Sequence, residues 1–205
     1  MVLKVIRLFF VIVFCSQVIG RLTQEDLLEW VPYDPNDVPS DAIPTGHTME
    51  DKRIYIGRVH LLDGDKEGYV PSNIIEGEEC VYGLLDSDIK YVCQNISILI
   101  GKNTYLSDVF WYTARPSYFM SLFDSDEYHP VRVGWEVGTD NGTPFNSSLY
   151  FARVYFGGQY WNSKIYTSRP DEEKNNIGYF SYVNFYSGDV ECYGGSYYDV
   201  LLFKF

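Results

Sequence analysis

The sequence predicts an all-β protein built from two similar units. Short runs of β-branched and aromatic residues alternate with Gly, Pro, Asp and Asn about every 8–12 residues. Only "LTQEDLLEW" (22–30) has the pattern of a helical turn. The stretch "IYIGRVHLLDGDKEGYV" (54–70) reads as a strand, a turn and a second strand, and "LYFARVYFGGQYWNSKIY" (149–166) repeats the same pattern. Because one unit alone would bury too little surface, we expect two copies to pack with pseudo-twofold symmetry into one domain of small antiparallel sheets.

The first twenty residues have the pattern of a secretory signal peptide. Lys4 and Arg7 form a basic start, and the apolar run 8–20 is too short to span a bilayer comfortably. The alternative is a membrane anchor. We expect cleavage after Gly20, a secreted extracellular protein and no membrane span.

The two units are predicted at residues 21–105 and 106–205. The first opens with "EWVPYD" (29–34) and closes on "ISIL" (96–99), and the second opens with "VFWYTA" (109–114) and closes on "YDVL" (198–201). In this alignment Trp30 corresponds to Trp111, and Tyr69 stands where the second copy has Lys164. The second unit is longer at 138–148, a polar stretch with Gly and Pro that is predicted to be an exposed loop.

The cysteines indicate one disulfide. The segment "CVYGLLDSDIKYVC" (80–93) reads as a hairpin, and folding it about its turn places Cys80 opposite Cys93 at a separation that suits a disulfide. Cys15 lies in the signal peptide, which leaves Cys192 as the third cysteine. Pairing of Cys192 with either of the others remains open.

Three sequons predict glycosylation of Asn95, Asn141 and Asn146. The last two lie in the predicted loop, whereas Asn95 lies in a strand-like run. A glycan on Asn141 would crowd the neighbouring Asp140.

Charge and composition exclude several functions. The formal net charge is −12 and becomes more negative when the signal peptide is removed, so nucleic acid and anionic membranes are poor partners. Aromatic residues make up 18 % of the chain, with 19 tyrosines, which suits contact surfaces for sugar or protein. No nucleophile or zinc motif is present, so we expect no enzyme activity, no metal and no cofactor.

The order of motifs resembles that of tandem DM9-repeat proteins, which share the DUF3421-like pattern. Each unit has an early Trp, then a "[LI]-Y-[VIF]-[GA]-R-[AV]" strand, a strand resembling "G-K-V", and a closing run. Here these read Trp30, "IYIGRV", "GYV" and "ISIL", then Trp111, "LYFARV", "SKI" and "YDVL".

The resemblance implies an all-β, mannose-binding lectin of innate immunity. In such lectins a loop acid and a strand lysine are thought to hold the sugar. The matching positions of the second unit are Asp140 and Lys164, and Trp161 in the adjoining turn is expected to pack on the sugar ring. The first unit has Thr48 and Tyr69 at these places, so it is expected to have lost its site.

Two functions follow as expectations. The first is a secreted, mannose-type carbohydrate-binding protein. One site per chain would bind weakly, so homo-oligomers would supply avidity. The second is a secreted effector or structural protein, of the kind found in saliva or venom, which binds another extracellular protein through its acidic, tyrosine-rich surface and binds no sugar.

Overall fold

The computed structural model describes residues 22–86, 88–102, 107–140, 142–156, 159–166, 180–183, 190–193 and 197–205. The predicted signal peptide lies outside these ranges, as does Asn141. None of the helices in the described ranges has the length and hydropathy that crossing a bilayer requires.

The described residues of the first half form one short helix and seven strands. The capping box of Thr23 and Asp26 starts the helix, which confirms the helical turn predicted in 22–30. The elements are α1 (Gln24–Leu27), β1 (Leu28–Pro32), β2 (Pro44–His47), β3 (Arg53–Asp63), β4 (Lys66–Ile75), β5 (Val81–Leu85), β6 (Asp88–Val92) and β7 (Ile96–Gly101).

The described residues of the second half contain two 3-10 turns of at least three residues and eight strands. The 3-10 turns are Pro116–Tyr118 and Met120–Asp124. The strands are β8 (Val109–Ala114), β9 (Tyr128–Pro130), β10 (Arg132–Asp140), β11 (Thr143–Phe156), β12 (Gln159–Tyr166), β13 (Phe180–Val183), β14 (Val190–Tyr193) and β15 (Tyr198–Lys204).

All described strand pairs are antiparallel and belong to one hydrogen-bonded network. Its main path runs β1-β7-β3-β4-β10-β11-β12-β13-β14, and β15 joins it by pairing with β11, β8 and β9. The all-β prediction is therefore confirmed. The strands form one connected sheet where several small sheets were expected, because β4 of the first half pairs directly with β10 of the second.

The same arrangement of three strands occurs in both halves. The opening strand with its Trp pairs with the closing strand, and the closing strand pairs with the strand that carries the Arg. The matching partners are Trp30↔Leu99 and Gly57↔Ile98 in the first half, and Trp111↔Leu201 and Ala152↔Val200 in the second.

The largest apolar core joins the two halves. It contains Ile56, Val59 and Ile98 of the first half together with side chains of the second half. A smaller core, around Phe119 and Tyr198, belongs to the second half. The second-half members of the larger core are Val131, Val133, Leu149, Phe151, Leu201 and Phe203.

The segment 138–148 is a pair of strands rather than the predicted exposed loop. β10 runs to Asp140 and β11 begins at Thr143, with Asp140 opposite Thr143. The prediction failed because the segment was judged by its many polar residues. Its side chains in fact alternate between the two faces of the strand, so that Phe145 and Ser147 point inward and are buried.

The predicted hairpin and disulfide are confirmed. β5 and β6 pair from Val81↔Val92 to Leu85↔Asp88, and a disulfide joins Cys80 to Cys93 just beyond the open end. Cys192 lies in β14 opposite Ser181, and its side chain is outside the described part.

Candidate functional site

Lys164 lies inside the protein. Its side chain is 1 % exposed, and its ammonium donates hydrogen bonds to the Glu136 carboxylate (2.6 Å), the Leu84 carbonyl (2.7 Å) and the Asp86 carbonyl (3.3 Å). An ammonium has three N–H donors, and three acceptors surround this one. Lys164 is therefore part of a buried structural ion pair.

The partner of Lys164 is buried as completely. Glu136 in β10 is 0 % exposed, and its Oε2 also accepts a hydrogen bond from the Asp86 backbone N–H at 3.1 Å. Asp86 has a φ of 55°, and its carboxylate pairs with Lys66 at 2.6 Å. This network of charges fastens the β5–β6 turn of the first half to β10 and β12 of the second.

Trp161 is also internal, with 7 % of its surface exposed in the smaller core. Asp140 ends β10, and its side chain lies outside the described part. Sugar binding through Asp140, Lys164 and Trp161 stays a prediction, and it requires Lys164 to leave Glu136. Breaking a buried ion pair costs about 3–5 kcal/mol, so a ligand would have to offset that cost.

Two of the predicted glycosylation positions are at the surface. Asn95 is exposed in the turn between β6 and β7, with a φ of 56°, so it does not lie within a strand as its neighbours suggested. Asn146 is exposed on β11. Asn141 falls outside the described residues.

An exposed cleft of about 240 Å³ in the first half contains the kinds of groups that were expected around Lys164. Lys52 and Glu78 form an ion pair of 2.7 Å at its surface, with side chains 42 % and 46 % exposed. Beside them lie the rings of Tyr82 and Tyr91, whose centroids are 4.7 Å apart. The other lining residues are Thr48, Glu50, Asn73, Ile75, Cys80 and Val81.

Three segments build most of this cleft: the β2–β3 turn, the β4–β5 connection that carries Glu78, and the open end of the β5–β6 hairpin. The turn between β2 and β3 is held by Thr48, whose hydroxyl accepts hydrogen bonds from the backbone N–H groups of Glu50 and Lys52 at 3.2 Å each. The β5–β6 hairpin places Tyr82 directly opposite Tyr91. The Cys80–Cys93 disulfide closes that hairpin at the cleft, so the tyrosine pair is supported covalently.

The ion pair at the cleft favours the charged form of Lys52. The hydrogen bond from Lys52 to the Glu78 carboxylate raises the pKa of the lysine, so the ammonium is retained at neutral pH. The Tyr33 hydroxyl donates to the Glu78 backbone carbonyl at 2.8 Å, and burial raises the pKa of Tyr33 to about 12. That tyrosine therefore stays a neutral donor that anchors the β4–β5 connection, which carries Glu78.

Sequence reasoning missed the Lys52–Glu78 pair. The two residues are 26 positions apart and belong to no motif. The one available signal was the loop "GHTMEDKR" (46–53), which the resemblance aligned with the acid-bearing loop of a lectin site. Lys52 lies in that loop, but its carboxylate partner comes from the connection between β4 and β5 and could be found only in three dimensions.

Neither a protein-family model nor a curated protein matches this chain.

Proposed function

We propose that this chain is a secreted carbohydrate-binding protein whose sugar site is the Lys52–Glu78 cleft. The observation that carries the proposal is the exposed ion pair beside the tyrosine pair. A carboxylate accepts hydrogen bonds from neighbouring sugar hydroxyls, an ammonium donates to their oxygens, and charge-assisted bonds are the stronger kind. Tyrosine rings offer apolar faces to a pyranose.

The size of the cleft suits a small saccharide. Its volume of about 240 Å³ falls below the range of about 300–1,000 Å³ typical of drug-sized ligands. Mannose-type glycans are the ligands that the resemblance to DM9 lectins implies, with innate immune recognition as the role. One small site per chain predicts weak binding, so homo-oligomers would supply avidity.

Two further observations support the wider proposal of a secreted tandem DM9 protein. The Cys80–Cys93 disulfide fits an oxidising compartment. The recurrence of one three-strand arrangement, with its two tryptophans at matching positions, fits two copies of one unit.

Calorimetric titration of the protein with methyl α-mannoside and with mannan tests the proposal. Lys52→Met removes the donor and should weaken binding about tenfold or more, since a hydrogen bond to a charged group contributes about 1.5–3 kcal/mol. Tyr91→Ala should weaken binding as well, because it removes an apolar face for the sugar ring. This ring is 59 % exposed and supports no core, so the variant should still fold.

Lys90→Met is the matched control. Lys90 pairs with Asp63 at 2.6 Å, and the two side chains are 40 % and 44 % exposed, much like Lys52 and Glu78, but neither lines the cleft. Binding should be unchanged in this variant. If Lys52→Met and Lys90→Met bind alike, or if the wild-type protein binds no glycan on an array, the proposal is wrong.

A second candidate function is binding to another extracellular protein. It is favoured by an exposed group of large side chains around the first 3-10 turn, where Arg115 donates to the Tyr197 hydroxyl and packs on its ring. Two results together would support this alternative. The protein would bind no glycan on an array, and alanine substitution of these exposed side chains would abolish binding to a protein partner. The exposed side chains are Tyr112, Tyr118, Met120 and Tyr197.

A further inference from the structure

Arg58 in β3 is a half-buried cation whose described surroundings contain no anion partner. Its guanidinium lies between two aromatic rings, 4.3 Å from the centroid of Trp30 and 4.8 Å from that of Tyr69. Its Nε is buried and makes no hydrogen bond. Burial lowers the pKa of this arginine, which reflects the cost of keeping the charge there. Such a group normally has a counterion.

Arg153 in β11 shows what the complete arrangement looks like. Its guanidinium also lies between two rings, 3.9 Å from Trp111 and 4.1 Å from Tyr160. In addition, its Nε donates to the Asp199 carboxylate at 3.3 Å and its Nη1 donates to the Thr45 carbonyl at 2.5 Å. The second half therefore neutralises its arginine internally.

Strand register explains the difference between the two arginines. Asp199 is the residue opposite Arg153, and Ser97 is the residue opposite Arg58. A serine hydroxyl carries no charge, so the first half lacks the carboxylate that its arginine would need.

The first half also lacks the hydroxyl group that would donate a hydrogen bond to such a carboxylate. The Thr113 hydroxyl donates to Asp199 at 2.8 Å and fixes its orientation. Thr113 lies opposite Asp199 in the β8–β15 pair, and Pro32 takes the corresponding place opposite Ser97. Both the acid and its hydroxyl donor are therefore replaced together.

Arg58 faces a cleft of about 460 Å³ that an external anion could enter. Trp30 and Trp135 line its walls with apolar surface. Lys102 and Arg132 add two cations, while Glu25 and Glu29 are the acids that face the same cleft. The cations outnumber the acids here, although the whole chain has a net charge of −12.

The other two cations of the cleft, Lys102 and Arg132, already use some of their N–H donors in hydrogen bonds within the protein. The Lys102 ammonium donates to the Glu25 carbonyl at 2.7 Å and lies 3.9 Å from the Glu29 carboxylate. The Arg132 Nε donates to the Gly134 carbonyl at 3.3 Å. Arg58 is thus the cation with the most unused donor capacity.

We propose that Arg58 is the centre of a second ligand site, which binds the carboxylate of an acidic sugar such as a uronic acid. The ligand carboxylate pairs with the Arg58 guanidinium from within this cleft, just as Asp199 pairs with Arg153 from within the chain, and its sugar ring lies against the indoles of Trp30 and Trp135. A guanidinium binds a carboxylate through two parallel N–H···O bonds, which gives both strength and orientation. The site shares no residue with the Lys52–Glu78 cleft, so binding of an acidic sugar at Arg58 does not depend on whether that cleft binds mannose.

The test is a titration of the ¹⁵N-labelled protein with glucuronate, followed by the indole N–H signals in NMR spectra. The signals of Trp30 and Trp135 should shift, whereas that of Trp161, which is buried elsewhere, should not. Glucose, which lacks the carboxylate, and acetate, which lacks the sugar, are the two comparison ligands. Both should bind at least about tenfold more weakly than glucuronate, because each loses one of the two recognised groups.

Two variants locate the binding at Arg58. Arg58→Met keeps a long unbranched side chain beside Trp30 and removes the charge, so glucuronate affinity should fall about tenfold or more. Ser97→Asp supplies the internal carboxylate that Arg153 already has, so it should compete with the ligand and lower affinity by a similar factor. It should leave the thermal midpoint of unfolding unchanged or raised. Lys90→Met is the control for loss of one surface charge and should bind normally.

Three results would overturn the inference. The first is a wild-type protein whose Trp30 and Trp135 signals do not respond to glucuronate. The second is a folded Ser97→Asp protein that binds glucuronate as tightly as the wild type. The third is equal affinity for acetate and glucuronate, which would show that the carboxylate is recognised without a sugar.

Discussion

At the scale of single residues, the position of Lys164 has a clear consequence for stability. Its ammonium and the Glu136 carboxylate are both fully buried and are bonded to each other and to the β5–β6 turn. A buried charge that loses its partner is strongly destabilising, whereas a pair of exposed charges contributes little. Lys164 thus connects the second half of the chain to the first.

Lys164→Met should lower the free energy of unfolding by about 3–5 kcal/mol, because it leaves Glu136 buried without its cation. Urea unfolding followed by tryptophan fluorescence measures the loss. Lys164→Met combined with Glu136→Gln should recover much of it, since Gln still accepts from the Asp86 N–H and carries no charge.

The exposed pair of Lys90 and Asp63 provides the control for this measurement. Lys90→Met should cost less than about 1 kcal/mol, as is usual for surface pairs. Equal losses in Lys164→Met and Lys90→Met would mean that the buried pair does not hold the two halves together.

At the scale of the elements, the two halves meet where β4 pairs with β10. The residue pairs are Trp135↔Tyr69, Glu136↔Gly68 and Val137↔Glu67. Two glycines allow the backbones to approach closely. A Cβ on Gly134 would collide with the Tyr69 carbonyl, and a Cβ on Gly68 would lie 2.5 Å from the Trp135 carbonyl. Both obstacles are backbone atoms and cannot be moved by turning a side chain.

Gly134→Ala should therefore separate β4 from β10 and destabilise the protein by several times the usual cost of about 1 kcal/mol for a point change. Thermal unfolding measures the effect, and hydrogen exchange at the backbone amides of 67–69 locates it. Gly64→Asn is the control. Gly64 has a φ of 64° and open space around it, and Asn tolerates that conformation. A Gly134→Ala protein as stable as Gly64→Asn would contradict this account of the junction.

At the scale of the whole molecule, the first half cannot complete its core alone. The larger core takes six side chains from the second half, including Val133, Phe151 and Leu201. Lys164 and Glu136 of the second half also bond to the backbone of Leu84 and Asp86 in the first half, and these bonds exist only in the assembled chain. Small units that expose this much apolar surface are marginal or unfolded.

A fragment of residues 21–105 should therefore lack cooperative unfolding and be cut rapidly by protease, even with the Cys80–Cys93 disulfide intact. Circular dichroism during heating and limited proteolysis measure these properties. Adding a fragment of 106–205 should restore protection, because β10 and the second-half core residues become available. A fragment of 21–105 that unfolds cooperatively without its partner would show that the halves are independent.

The sequence alone determined the class of fold and its local pairings. The stretch 54–70 reads as a strand, a turn and a second strand, which predicted the hairpin of β3 and β4. The placement of Cys80 and Cys93 about a turn predicted both a hairpin and its disulfide. These features depend on neighbours that are close along the chain, so periodicity and turn residues are enough to find them. The stretch 138–148 was misjudged because its polar residues were read as a loop although every second side chain from Phe145 points inward.

Only the tertiary structure decided which charged groups face an exposed cleft and which are buried against each other. Lys164 and Ile165 are neighbours on β12 and both are buried, because the other half covers the face that a single sheet would leave to water. Arg58 and Arg153 look equivalent in the sequence, yet one faces Ser97 and the other Asp199. Such differences depend on strand register and on contacts across the two halves, which local pattern does not encode.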